Sequence, residues 1–199
     1  MKTIDIFGPI GEELDGVTAA SVAAQIEGHV GELAVRINSP GGLTYEGVAI
    51  YNLLEPMRPA VKVVGQAASA ASVVAMAGAS IEMAIGSRMM IHGAWMLAGA
   101  VNEQAAAQLT QRLRMTNESI VAIYARRTGK PPEEIAEMLT GEVWMSAAEA
   151  VERGFATTLS SMPAAAPTER TQEIQELMRA AATKPAAVAW KAKQRLDIH

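Results

Sequence analysis

Several residue types that often direct function are missing from this 199-residue chain. It contains no cysteine, so it can form no disulfide, offers no thiolate nucleophile and cannot bind a metal through sulfur. Such a composition fits a reducing cytoplasm. The formal net charge is -4 and no run of five like charges occurs, so the chain lacks the positive field that binds a nucleic-acid backbone. We expect no nucleic-acid partner.

Long apolar runs are also missing. Residues 1–5 lack the apolar segment of a signal peptide, and charged residues interrupt every apolar stretch before it reaches the length of a membrane span. We therefore expect a soluble, cytoplasmic protein without a membrane partner. What the chain does have is 50% hydrophobic residues, enough to bury one substantial core.

Strand-like and helix-like segments alternate along residues 1–161, which predicts one α/β domain. Apolar runs predict strands over 2–7, 32–37, 61–64, 81–85 and 88–91. Helical spacing, with glycine or proline near the ends, predicts helices over 18–28, 47–54, 69–77, 102–127, 131–139 and 146–154. From Met162 the composition changes to alanine and proline, so we interpret 162–199 as a C-terminal tail, either a flexible linker or a scaffold-like extension.

One serine lies where nucleophiles are often presented. Ser69, in Gly65-Gln66-Ala67-Ala68-Ser69-Ala70-Ala71-Ser72, follows an apolar strand and comes at the start of a predicted helix, where free amides favour negative charge. The alternative is that a serine among alanines only allows close helix packing. Ser72 is a second candidate nucleophile, but we expect its hydroxyl to lie within the helix and to bond back to a carbonyl.

A serine hydroxyl needs a base, and His92 is the best candidate. His199 ends the tail and His29 lies in a predicted glycine-flanked turn. The alternative is that His92, which follows a strand, is a core residue that only forms hydrogen bonds. A third segment, Asn38-Ser39-Pro40-Gly41-Gly42, ends a strand in two glycines whose backbone can approach a substrate closely, unless it is an ordinary turn.

Taken in this order, the segments resemble the ClpP family of serine peptidases. Ile37-Asn38-Ser39-Pro40-Gly41-Gly42 is similar to the family's glycine-rich strand end, Gly65-Gln66-Ala67-Ala68-Ser69 to its nucleophile segment, and Met90-Ile91-His92 to its base segment. The segment from Val143 to Gly154, which begins Val143-Trp144-Met145-Ser146, resembles the family's closing segment, although Ser146 and Glu149 also form a helix capping box. The similarity runs from about residue 4 to residue 159 and leaves the tail unexplained.

The resemblance implies a role for five residues. Ser69 would be the nucleophile and His92 the general base, and the amides of Gly42 and Ala70 would form the oxyanion hole. Glu142 stands where the family has the aspartate of its triad, and it would orient the imidazole; the alternative is that Glu142 is a surface carboxylate and a backbone carbonyl orients His92. No cofactor and no metal ion are implied.

The resemblance also implies an architecture. We expect a ClpP/crotonase-like α/β fold of repeated β-β-α units, with the helix over 102–127 projecting as a handle, and homo-oligomeric rings that stack in pairs. Trp95 and Met96, just before this helix, would contact substrate; the alternative is that they belong to the core or to a contact with a neighbouring subunit.

The function implied is that of a serine endopeptidase acting on a polypeptide. The Ser-Ala-Ala-Ser run, the Glu-x-Trp closing segment and the tail are more similar to head-maturation proteases of phages and prophages, which cut capsid or scaffold proteins in the bacterial cytoplasm. Three alternatives remain: an ATPase-partnered bacterial ClpP subunit, an acyl-CoA enzyme of the crotonase fold, and an inactive scaffold with a vestigial triad.

Overall fold

The computed structural model describes residues 1–12 and 16–160. Residues Met1–Ser160 group into one compact unit. The predicted tail over 162–199 lies outside the described residues. No helix in the described part of the chain has both the length and the apolar character needed to cross a membrane.

A seven-stranded sheet forms the centre of the domain. Its strands are β1 (Lys2–Phe7), β2 (Leu33–Ser39), β3 (Ala60–Ala68), β4 (Ser80–Met83), β5 (Arg88–Ile91), β6 (Val143–Ser146) and β7 (Thr158–Leu159). The main path runs β1-β2-β3-β4-β7 with parallel pairing throughout, and β5 and β6 branch from β3.

Six helices connect these strands: α1 (Ala19–Ile26), α2 (Thr44–Leu54), α3 (Ala70–Ala75), α4 (Glu103–Thr128), α5 (Pro132–Met138) and α6 (Ala147–Glu152). A short 3-10 turn, Glu55–Met57, follows α2. Local chemistry explains the ends, since Asn102 caps α4, Gly129 ends it in a left-handed conformation, and Ser146 forms the predicted capping box with Glu149. The predicted α/β class is confirmed.

The core packs α2 and α3 against the sheet. All six residues of α3 are buried, and their small side chains let α2 come close. A Cβ atom on Gly47 of α2 would lie 2.9 Å from the Cβ of Ala70, so this crossing requires a glycine. By contrast, the buried residues of α4 are Ile120 and Tyr124, both near its C-terminal end, so most of this helix projects from the core as expected.

The two halves of strand β3 pair with different strands on the same side, and this arrangement forms the site. Its first half, Ala60 to Val63, pairs with β4, and its second half, Gln66 to Ala68, pairs with β5. The strand is therefore four residues longer at its C-terminal end than the apolar pattern predicts, because backbone pairing with β5 holds the alanines that carry little strand preference of their own. The ends of β3 and β5 lie side by side as a result.

Candidate active site

Ser69 occupies a strained turn between β3 and α3. Its backbone has φ 53° and ψ -126°, and the only other non-glycine residue with positive φ in the described part of the chain is Arg58. Such a conformation costs about 1–3 kcal/mol and persists only when its surroundings hold it. The amide of Ser69 donates to the carbonyl of Met90 at 2.9 Å, which ties the turn to the end of β5. The turn presents the Ser69 hydroxyl outside both the strand ladder and the helix.

His92 lies against this hydroxyl. Its Nε2 is 2.7 Å from Oγ of Ser69, within hydrogen-bond distance. The sheet explains the contact, because Ala68 and Met90 are paired in the parallel ladder, β3 ends at Ala68 and β5 ends one residue after Met90. A neutral imidazole at this distance can accept the serine proton as the oxygen attacks an electrophile. The imidazole of His29, by comparison, forms a hydrogen bond with the backbone carbonyl of Glu32.

Glu142 lies near the pair without joining it. Its exposed carboxylate accepts a hydrogen bond from Nε1 of Trp144 at 3.2 Å, and no hydrogen bond or ion pair joins it to His92. The backbone nevertheless brings the two residues close in register. Ile91 of β5 pairs with Val143 of β6 in the antiparallel ladder, so one further step would set His92 opposite Glu142. The predicted role of Glu142 stays a prediction.

The two glycines after β2 allow a very close backbone approach. A Cβ atom on Gly41 would lie 2.4 Å from the carbonyl oxygen of Ala68, 2.7 Å from Cβ of Ser69 and 2.9 Å from the amide of Ala70. One on Gly42 would lie 2.1 Å from the carbonyl oxygen of Ile10. Only glycine fits at either position, and Gly41 also has φ of +89°.

The amides predicted for the oxyanion hole lie in this region. The neighbours of the Gly42 amide are engaged: the Gly41 amide donates to Oγ of Ser39 at 3.1 Å and the Leu43 amide donates to the Ile10 carbonyl at 2.9 Å. The Gly42 amide donates to no residue described in the structure. The Ala70 amide is the first of α3, a position where amides have no partner within the helix.

Ser72 has a different environment. Its side chain is completely buried, and its hydroxyl donates to the carbonyl of Ser69 at 2.6 Å. This confirms the predicted bond back to a carbonyl and leaves Ser72 without access to a substrate.

Sequence reasoning missed the residues that hold the chain after His92. The Gly93 amide donates to the carbonyl of Leu139 at 3.0 Å, and the Ala94 amide donates to Oδ1 of Asn117 at 2.8 Å. An asparagine in the middle of α4 carries no motif, so no sequence signal distinguishes it from a solvent-facing residue. Beyond Ala94, the side chains of Trp95, Met96 and Leu97 are exposed, so the alternative that Trp95 and Met96 belong to the core is wrong.

No metal centre accompanies these residues. Among residues 1–12 and 16–160, no group of three or more histidine, aspartate or glutamate side chains is placed to hold a metal ion.

Replacing Gly41 by alanine should disrupt the site without unfolding the domain. The added methyl group has to displace the turn at Ser69, so we expect labelling of Ser69 by a fluorophosphonate to slow by about 10²-fold. Gly28→Ala is the matched control, because Gly28 also has positive φ (+65°) but no atom within 4 Å of its Cβ position. Equal labelling rates for the two variants would show that the close approach of Gly41 is not needed.

The comparison with known proteins gives a consistent family. The Clp protease family profile matches residues 2–162. The chain is 32% identical over 158 residues to an ATP-dependent Clp protease proteolytic subunit of Arabis hirsuta, covering 73% of this chain and 79% of that protein. A subunit with the same description from Populus trichocarpa is 33% identical over 159 residues, covering 76% and 78%.

A third relative is the chloroplastic ATP-dependent Clp protease proteolytic subunit 1 of Arabidopsis thaliana, 32% identical over 158 residues, which covers 73% of this chain and 79% of that protein. Together with the family match over nearly the whole described domain, these similarities identify the protein as a serine peptidase that belongs to the Clp protease family.

Proposed function

We propose that the protein is a serine endopeptidase in which Ser69 is the nucleophile and His92 the general base. The observation that carries this proposal is the 2.7 Å contact between Nε2 of His92 and Oγ of a serine held in a strained turn. A core histidine needs no partner of this kind, and close packing of a small residue requires no positive φ. Membership of a peptidase family supports the same assignment.

The reaction follows from this contact. Oγ of Ser69 attacks the carbonyl carbon of a peptide bond while Nε2 of His92 takes its proton. The amides of Gly42 and Ala70 receive the oxyanion, and the start of α3 adds a favourable dipole. The imidazolium then protonates the leaving amine, and the same imidazole activates the water that hydrolyses the acyl-enzyme.

Glu142 completes the triad in this proposal. Its carboxylate leaves the indole of Trp144 and accepts a hydrogen bond from Nδ1 of His92 when substrate binds or subunits assemble. The β5-β6 register supports this step, since directly opposite residues of an antiparallel pair have Cβ atoms about 4.5–5.5 Å apart. Catalytic hydrogen bonds often form only in the substrate complex.

Assembly into rings is the second part of the proposal. Proteins of the Clp protease family degrade peptides within oligomeric rings, and the exposed apolar segment Trp95, Met96 and Leu97 beside the projecting α4 offers a surface for either subunit or substrate contact. We place the protein in stacked rings in the bacterial or phage-infected bacterial cytoplasm. Ring enclosure would restrict cleavage to chains that can enter.

Two substrates are compatible with this enzyme. The first is a capsid or scaffold protein cut during phage head maturation, which is supported by the glutamate at the acid position, Ala70 after the nucleophile and the additional tail. The second is an unfolded protein delivered by an ATPase, which is supported by the relatives that are described as subunits of an ATP-dependent protease. A crotonase-type acyl-CoA enzyme is less well supported, because its chemistry needs no serine-histidine pair.

Fluorophosphonate labelling tests the proposed nucleophile. The intact protein should carry the adduct on Ser69, Ser69→Ala should carry none there, and His92→Gln should react about 10²–10⁴-fold more slowly because the general base is lost. Ser119→Ala, an exposed serine on α4, should label like the unmodified chain. Peptide mass mapping locates the adduct; labelling that persists in Ser69→Ala would refute the assignment.

The role of Glu142 has its own test. If its carboxylate orients His92, Glu142→Gln should lower kcat for an unstructured peptide by about 10²-fold or more, while Glu142→Asp retains more of it. Glu137→Gln, a nearby exposed carboxylate, should leave kcat unchanged. Equal kcat values for Glu142→Gln and Glu137→Gln would instead assign the orientation of His92 to a backbone carbonyl.

The two substrate classes differ in their need for ATP hydrolysis. Cleavage of a capsid or scaffold precursor by the protein alone, blocked in Ser69→Ala, is the expected result for a head-maturation protease. Degradation of a folded test protein only when a ring ATPase and ATP are added would support the second candidate and overturn the first. Gel electrophoresis of the products distinguishes the two.

A further inference from the structure

The carbonyl oxygen of Ser69 is held by a buried hydrogen-bond chain that the reaction scheme does not use. The amide of Ser72 donates to this oxygen at 2.9 Å, and the hydroxyl of Ser72 donates to it at 2.6 Å. The hydroxyl of Tyr124, on α4, lies 2.8 Å from the Ser72 hydroxyl. Tyr124, 52 residues further along the chain than Ser72, is thereby linked to the proposed nucleophile.

We propose that Tyr124 is a positioning residue that holds Ser69 in its reactive conformation through Ser72. This inference rests on the proposed role of Ser69 as nucleophile. Tyr124 lies on the projecting helix α4 and contacts Ser72, not the reacting atoms.

The number of hydroxyl hydrogens determines which group donates at each step of the hydrogen-bond chain. A serine hydroxyl has one hydrogen, and in Ser72 that hydrogen is given to the Ser69 carbonyl, which can only accept. The Tyr124 hydroxyl must therefore donate to Oγ of Ser72. The chain runs from Tyr124 to Ser72 to Ser69, and each link polarises the next.

Burial makes this chain hard to replace. Tyr124 is 1% exposed and Ser72 is 0% exposed, so solvent water does not reach their hydroxyl groups to replace a lost hydrogen bond. The ring of Tyr124 packs edge-to-face against Phe155 with a centroid distance of 5.6 Å, which fixes where the hydroxyl points. Burial also raises the pKa of Tyr124 above its ordinary value, so its hydroxyl keeps the proton that it donates at neutral pH.

The hydrogen-bond chain acts on Ser69, a residue whose backbone is strained. A serine with φ 53° gains by relaxing toward negative φ, and relaxation would move its hydroxyl away from His92. Two donors on the Ser69 carbonyl oppose this rotation of the backbone. Asn117, two turns before Tyr124 on α4, holds the Ala94 amide just after His92, so the same helix contacts both segments that supply the reacting pair.

A simpler explanation is that Tyr124 only fills the core and that its hydroxyl uses the nearest acceptor. Both explanations predict some loss of stability when the hydroxyl is removed. Only the positioning role predicts that the loss of rate passes through Ser72.

The experiment compares Tyr124→Phe, Ser72→Ala and the double variant in the full-length protein. We expect Tyr124→Phe to lower kcat for an unstructured peptide, and the maximal labelling rate by a fluorophosphonate, by about tenfold with KM unchanged. The double variant should be no slower than Ser72→Ala, because Tyr124 acts through Ser72. Tyr51→Phe is the matched control: Tyr51 is also a buried tyrosine, but its hydroxyl lies beside the Arg126 side chain, and its removal should leave kcat unchanged.

The outcomes separate the two levels of inference. If Tyr124→Phe lowers the unfolding temperature but leaves kcat unchanged, Tyr124 is an ordinary core residue. If the rate losses of the two single variants add in the double variant, Tyr124 does not act through Ser72. Either result overturns the inference while the nucleophile assignment stands. If Tyr124→Phe does not fold, unchanged kcat in Ser72→Ala is sufficient to overturn it. A parent protein that is never labelled on Ser69 refutes the proposed function and the inference with it.

Discussion

The backbone turn at Ser69 is the constraint on which the rest of the domain depends. A non-glycine residue with φ 53° is stable only when its neighbours oppose relaxation. Here the end of β5 holds its amide, Ser72 holds its carbonyl, and the Gly41 backbone lies so close that a Cβ atom on Gly41 would be 2.7 Å from Cβ of Ser69. The small residues of α3 and the glycine in α2 follow from the same requirement, since the start of α3 has to pack without side-chain bulk.

The long helix α4 links this centre to the surface. Its C-terminal end is anchored in the core by Ile120 and Tyr124, whereas its N-terminal part and the preceding Trp95, Met96 and Leu97 are exposed. In a family whose members work as rings, a helix that contacts the nucleophile segment at one end and solvent at the other is suited to connect subunit contacts with the geometry of the site.

Much of this domain could be predicted from local patterns. The strand over Lys2–Phe7 and the strand over Arg88–Ile91 have the bounds that their apolar runs predict, and the capping box at Ser146 begins α6 as expected. Other bounds differ because pairing overrides preference: β3 continues through alanines to Ala68, where β5 holds it. Strand β6, which sets Glu142 near His92, was not predicted, since its four residues acquire strand structure only by pairing with β5.

The sequence by itself determined the α/β class, the family and the identity of the candidate nucleophile and base, because helix and strand periodicity, glycine turns and short motifs are properties of neighbouring residues. Only the tertiary structure decided that Nε2 of His92 lies 2.7 Å from Ser69, that Glu142 contacts Trp144, and that Tyr124 and Asn117 support the two reacting segments. These contacts join residues that are brought together by strand register or helix packing, and neither leaves a periodic signal in the chain.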